Sequence, residues 1–150
     1  MINVDVVSES NLWSKKIKKK SIFFNSIVSL LPKKFRFIKK KVYLTILLSN
    51  IKKLNKKFRK KNKPTDILSF PSEKKVNVKK TTYLGDIIIS YEFINKPKTL
   101  SDLEFKNKVI KIFIHGYLHL LGFDHIKLKD FNKMFKEEEK IYKFINTKIT

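Results

Sequence analysis

The chain has no cysteine, which excludes a disulfide framework and fits a reducing compartment. It also has no run long and apolar enough to span a bilayer. The best stretch, residues 109–123, is broken by Lys111, His115 and His119 and is too short. Residues 18–31 superficially resemble a signal sequence. However, Asp5 and Glu9 precede them and the first residues already read as a strand, so the segment belongs to the fold. The expectation is a cytoplasmic protein with no membrane contact. Acidic residues are scarce, 13 against 35 basic ones, giving a formal charge of +22 over 150 residues. That excess points to an anionic partner such as RNA. It is discounted by the absence of alanine and glutamine and the abundance of lysine, isoleucine, phenylalanine and asparagine, a bias that A/T-rich codons would produce. Arginine is nearly missing too. Only Arg36 and Arg59 occur, and a planar guanidinium can grip a phosphate through two parallel hydrogen bonds where lysine offers a point charge.

What is present is concentrated. All three histidines fall in HGYLHLLGFDH, residues 115–125. Residues four apart on a helix share a face, so His115 and His119 present their rings side by side. Gly122 lets the helix end through a left-handed conformation at little steric cost, after which the chain can return His125 to the same point. Three imidazoles around one divalent ion match the catalytic type of zinc site, which keeps a fourth position for water or substrate. A closed structural site would want a fourth protein ligand. Zinc suits three neutral imidazoles best, while ligand type alone also admits nickel, copper or iron. A lone histidine on an apolar helix is more often a satisfied core residue, but three at these intervals with a glycine at the turn are hard to explain by packing. Asp124 reads equally as an acceptor for a ligand ring N–H or as a turn residue beside Gly122. The metzincin pattern H-E-x-x-H-x-x-G-x-x-H has the same intervals, yet Gly116 stands where its glutamate general base would be. The metal cradle is retained and the usual proteolytic mechanism is not.

One domain covering residues 1–150 is expected, large enough for a core without metal or disulfide support. Residues 2–6 alternate as a strand, and Trp13, Ile17, Phe24, Val28 and Leu31 recur at helical spacing up to Pro32. Residues 42–48 form a second strand, and Ser49 caps a short helix burying Ile51, Leu54 and Phe58. A turn at 64–66 leads into a strand over 67–70, stopped by Pro71. A solvated loop over 73–80 follows, and Gly85 and Asp86 open a strand over 87–89 that pairs with its predecessor as a hairpin. Residues 103–121 are a long helix, apolar nearly all round from Val109 and therefore buried, with the helical histidines near its end. A final helix over 130–145 places Phe131, Met134, Phe135, Tyr142 and Ile145 at core spacing and leaves Glu137, Glu138 and Glu139 on a solvated face. The class is α+β: a small mixed sheet of about four strands packed against helices around a buried central helix.

Three segments carry a family resemblance: HGYLHLLGFDH at 115–125; Leu54, Asn55, Phe58 and Arg59 followed by PTDILSFP at 64–71; and LGDIIIS at 84–90. In identity, order and separation they resemble the YbeY family of bacterial rRNA maturation factors, metal-dependent endoribonucleases. The resemblance implies a hydrolase that cuts single-stranded RNA in small-subunit rRNA processing and ribosome quality control. Its partners would be single-stranded RNA or rRNA and components of the small ribosomal subunit. The family's metal ligands carry over to His115, His119 and His125, and its functional arginine to Arg59. In that setting one zinc ion would activate water and polarise a phosphate oxygen, with Arg59 bracing the charge that grows on phosphorus. Arg59 also reads as a surface arginine favoured by a helix end. Asp66 could orient water or a ligand ring, or serve as a turn or cap residue. For Thr65 and Ser69 a structural role outweighs phosphate contact. Two rivals remain: a non-catalytic zinc-containing assembly factor that docks on rRNA or a ribosomal protein, and a hydrolase of some other ester or amide. No RRM-type aromatic signature is present, so selectivity for single strands rests on the resemblance.

Overall fold

The computed structural model describes residues 1–49, 67–72, 81–123 and 128–149. The short helix expected after Ser49, the 64–66 turn and the 73–80 loop lie outside the described residues. Alternating side chains give β1 (Ile2–Ser8) and β2 (Lys41–Ser49) one core face each, with Ile2 and Val4 turned in from β1 and Val42, Leu44, Ile46 and Leu48 from β2. The two strands run parallel, Ile2 beside Val42 through Ser8 beside Leu48. A parallel pair needs a crossover, which α1 (Leu12–Lys16), α2 (Lys20–Ser29) and α3 (Lys33–Arg36) provide.

The single helix expected up to Pro32 is therefore broken. Ile17 is extended (φ −132°, ψ 103°) and buried, so the chain leaves the helix to seat this side chain in the core. Continuing the helix would also set Lys15 against Lys19 and Lys16 against Lys20, like charges one turn apart. α2 ends at Ser29, just short of Pro32, as expected of a residue that cannot continue a helix. Pro32 itself occupies the N-cap of α3, where its fixed φ is tolerated.

β3 (Ile67–Pro71) pairs antiparallel with β4 (Thr81–Ser90), Ile67 opposite Ile89 and Pro71 opposite Gly85, as the expected hairpin. β4 in turn runs parallel to β2, and the sheet order is β1-β2-β4-β3. β4 begins earlier than expected. Tyr43 lies opposite Tyr83 and Thr45 opposite Asp86, so two β4 residues face one β2 residue in a bulge. Gly85 sits there at φ 139°, and a Cβ would collide with the Phe70 carbonyl and the Pro71 Cα. The glycine is the pivot of a ten-residue strand, not its opening.

A short α4 (Tyr91–Ile94) leads to α5 (Asp102–Leu120), the expected central helix. Ser101 and Glu104 start it with a reciprocal capping box: Ser101 Oγ accepts from the Glu104 N–H (3.1 Å) and Glu104 Oε1 from the Ser101 N–H (3.3 Å). Phe105, Val109, Ile110, Phe113, Ile114, Tyr117, Leu118 and Leu120 are buried. Trp13 meets the rings of Tyr91 and Phe105 edge-on at 5.5 and 5.6 Å.

The last helix, α6 (Leu128–Ile149), buries Met134, Ile141 and Ile145. Phe131 and Phe135, expected in the core, are about half exposed and stack on each other at 6.3 Å. They sit off the stripe that Met134, Ile141 and Ile145 define. Among the described residues, no helix is long and apolar enough to cross a membrane.

Candidate functional site

The C-terminal turn of α5 carries the densest chemistry. Its end follows from Gly122, which takes φ 97°. The Phe123 N–H donates to the Leu118 carbonyl and the Gly122 N–H to the His119 carbonyl, both at 3.0 Å. These are the paired bonds of a Schellman turn. The turn seats the Phe123 ring edge-on to Phe35 at 6.1 Å and aims the Phe123 carbonyl back at the helix. There His119 Nδ1–H donates to it at 3.0 Å.

His115 is oriented from the other side. Its Nδ1–H donates to Glu138 Oε1 of α6 at 2.5 Å, with the two side chains 32% and 15% exposed. A carboxylate and a carbonyl only accept, so both histidines carry their proton on Nδ1. Their Nε2 lone pairs then point at one another across 3.1 Å, ring centroids 4.6 Å apart. Two imine lone pairs so placed repel, and either a shared cation or a second proton on one of the rings turns the contact favourable. Two imidazoles on one tetrahedral zinc, with Zn–N of about 2.0–2.1 Å, hold their nitrogens roughly 3.3 Å apart. The spacing of the two nitrogens therefore fits a shared divalent ion closely.

Gly116 explains why no glutamate follows His115. A Cβ there would lie 2.5 Å from Ile67 Cδ1 and 3.0 Å from Ser69 Oγ. α5 packs directly on β3, and Ser69 Oγ donates to the Gly116 carbonyl at 3.2 Å. Ser69 thus binds strand to helix. Tyr117 beside Gly116 is tied into the core: its buried hydroxyl donates to the Phe35 carbonyl at 2.7 Å, and burial pushes its pKa far above the usual phenol range.

Of the residues singled out in the sequence, the structure brings together His115 and His119; Arg59, Thr65, Asp66, Asp124 and His125 lie outside the described residues. Two groups that sequence reasoning missed complete the arrangement. The acceptor for the His119 ring is the Phe123 carbonyl, a backbone atom no side-chain pattern reveals. The other is Glu138, read as part of a solvated acidic face. That reading fails for Glu138, which pairs with His115, while Glu137 and Glu139 meet exposed lysines, Lys34 at 2.9 Å and Lys111 at 3.7 Å. A signal was available, because Glu138 lies four residues after Met134 and three before Ile141, inside the core stripe of α6. Beside the Schellman turn, a cleft of about 350 Å³ is lined by Leu121, Gly122, Phe123, Asp130 and Lys133. Toward the opposite end of α5, a larger groove of about 790 Å³ gathers Lys15, Lys18, Lys19, Lys106 and Lys148 and holds no histidine.

The chain is similar to proteins of a known family. The family's model, described as Endoribonuclease YbeY, matches residues 8–146. A protein of Pelagibacter ubique named Endoribonuclease YbeY is 72% identical over 152 residues, covering 99% of this chain and 99% of that one. A Buchnera aphidicola protein of the same name is 39% identical over 153 residues, covering 99% and 92%. Among solved structures, the solution structure of a Thermotoga maritima protein matches with a TM-score of 0.55 at 27% identity, covering 97% of this chain and 89% of that chain.

Proposed function

Because the chain belongs to the YbeY endoribonuclease family, we propose that it is a zinc-dependent hydrolase cutting single-stranded RNA, acting in the cytoplasm on small-subunit rRNA and in ribosome quality control. The observation that carries this reading is the convergence of His115 Nε2 and His119 Nε2, with both Nδ1 atoms donating away from the shared point. His125, beyond the Schellman turn, is assigned as the third ligand. His115, His119 and His125 would hold a zinc ion, which would supply the Lewis acidity for activating water and polarising a phosphate oxygen. The protein does the rest. The Phe123 carbonyl keeps the His119 imidazole in the tautomer that presents Nε2. Arg59 braces the negative charge that develops on phosphorus, with two fixed donors in one plane. Asp66 and Asp124 stand as residues that orient substrate or a ligand ring. The excess of basic side chains supplies sequence-independent attraction for the RNA backbone and for the rRNA of the small subunit.

The test is cleavage of a single-stranded RNA by protein purified free of contaminating nuclease. Activity should vanish with chelator and return with Zn²⁺. His115→Ala and His119→Ala should each lose stoichiometric metal by elemental analysis. RNA binding that persists with no metal-dependent cleavage would favour the non-catalytic assembly factor instead. Cleavage of peptide or simple ester substrates in place of RNA would assign the centre to another hydrolase class.

A further inference from the structure

We propose that Glu138 is a positioning residue of the metal centre, acting through His115 and tying the last helix to the site. The inference rests on the reading of His115 and His119 as metal ligands, and extends it to a residue on another element.

The argument begins with where α6 puts its carboxylates. Three consecutive acids on a helix fan about 100° apart, so one face cannot hold them all. Glu137 turns to Lys34 and Glu139 to Lys111, each neutralised by a lysine of another element. Glu138, between them, lies on the stripe of Met134, Ile141 and Ile145 that packs into the core. It is 15% exposed, and its Oε1 stands 2.5 Å from His115 Nδ1. A carboxylate accepting from the far ring nitrogen does two things to a metal-ligating histidine. It holds the ring plane and tautomer, and it raises the electron density that Nε2 offers to a cation. His119 receives a weaker version of the same service from the Phe123 carbonyl at 3.0 Å. The centre therefore has one neutral and one anionic support, and the anionic one comes from a separate helix.

The consequence is a measurable coupling between Glu138 and His115. In folded, metal-free protein titrated with Zn²⁺ against a chromophoric chelator, Glu138→Ala should weaken binding about ten- to a hundredfold. Glu138→Gln, which keeps an acceptor oxygen but no charge, should fall between this variant and the parent. The ligand-field absorption of the Co²⁺-loaded protein should shift in both. Glu137→Gln and Glu139→Gln, whose partners are surface lysines, should leave affinity and spectrum unchanged. Circular dichroism and thermal unfolding of the metal-free proteins identify variants that retain the fold, and Glu138→Gln keeps the shape of the side chain should Glu138→Ala fold poorly.

The double variant His115→Ala/Glu138→Ala decides whether Glu138 acts through His115. If so, it binds Zn²⁺ no more weakly than His115→Ala alone. Additive losses would overturn the proposal, as would an unchanged affinity and spectrum in Glu138→Gln and Glu138→Ala while His115→Ala binds poorly. Unchanged Zn²⁺ affinity in His115→Ala would instead overturn the metal-ligand reading itself.

Discussion

Gly116 is confined by the strand beneath it, and this gives the site a testable rigidity. Replacing it with alanine gains about 1 kcal/mol of helix propensity, while the new Cβ must displace the flexible end of Ile67 and crowd Ser69 Oγ. These effects nearly cancel, so Gly116→Ala should move the thermal midpoint little. Gly116→Glu, which restores the metzincin pattern on paper, has no space for its carboxylate between α5 and β3. Overpacking costs about 1–3 kcal/mol, so calorimetry should show a midpoint lower by several degrees and no gain of peptidase activity. Arg59 is tested differently. With lysine the charge stays and the planar fork is lost, so Arg59→Lys should slow single-turnover RNA cleavage about ten- to a hundredfold. Metal content and unfolding temperature should not change. At this scale the sequence was most legible where chemistry is local: His115, His119 and Gly122 follow from helical spacing and turn conformation alone. The Phe123 carbonyl and Glu138 were hidden because one is backbone and the other meets its partner across 23 residues of chain.

The elements diverge from their sequence patterns wherever a long-range contact outweighs local preference. The apolar positions from Trp13 to Leu31 carry helical spacing, but burying Ile17 and relieving lysine repulsion split that stretch into two helices, and a third follows Pro32. Gly85 reads as a boundary, yet pairing with both β2 and β3 carries β4 straight through it as a bulge. α6 exchanges the expected Phe131 and Phe135 for Ile141, because the inward stripe is set by which side of the helix meets α5. α5 is the element whose position matters most to the site, and its start is fixed by the capping box. Ser101→Ala should therefore cost about 1 kcal/mol, read as a fall of about 2–4 °C in the unfolding midpoint. Zn²⁺ affinity should be unaffected, since the histidines sit at the opposite end of a 19-residue helix.

For the whole molecule, charge makes the prediction. A formal +22 over 150 residues implies RNA binding dominated by counterion release, so log K should fall linearly with log salt. The slope should be about −0.7 for each phosphate neutralised on a single strand. A slope near zero would remove the backbone contacts from the account. The class of fold, the hairpin, the buried central helix and the pair of facing histidines were all determined by the sequence itself. Each depends on periodicity or on a turn residue acting within a few positions, where hydrophobic burial and backbone sterics leave little choice. The strand order β1-β2-β4-β3, the bulge at Gly85, the stripe α6 buries and the carboxylate it delivers to His115 were decided only in three dimensions. They depend on which distant surfaces meet, and packing energy between elements, not preference within one, selects among the alternatives.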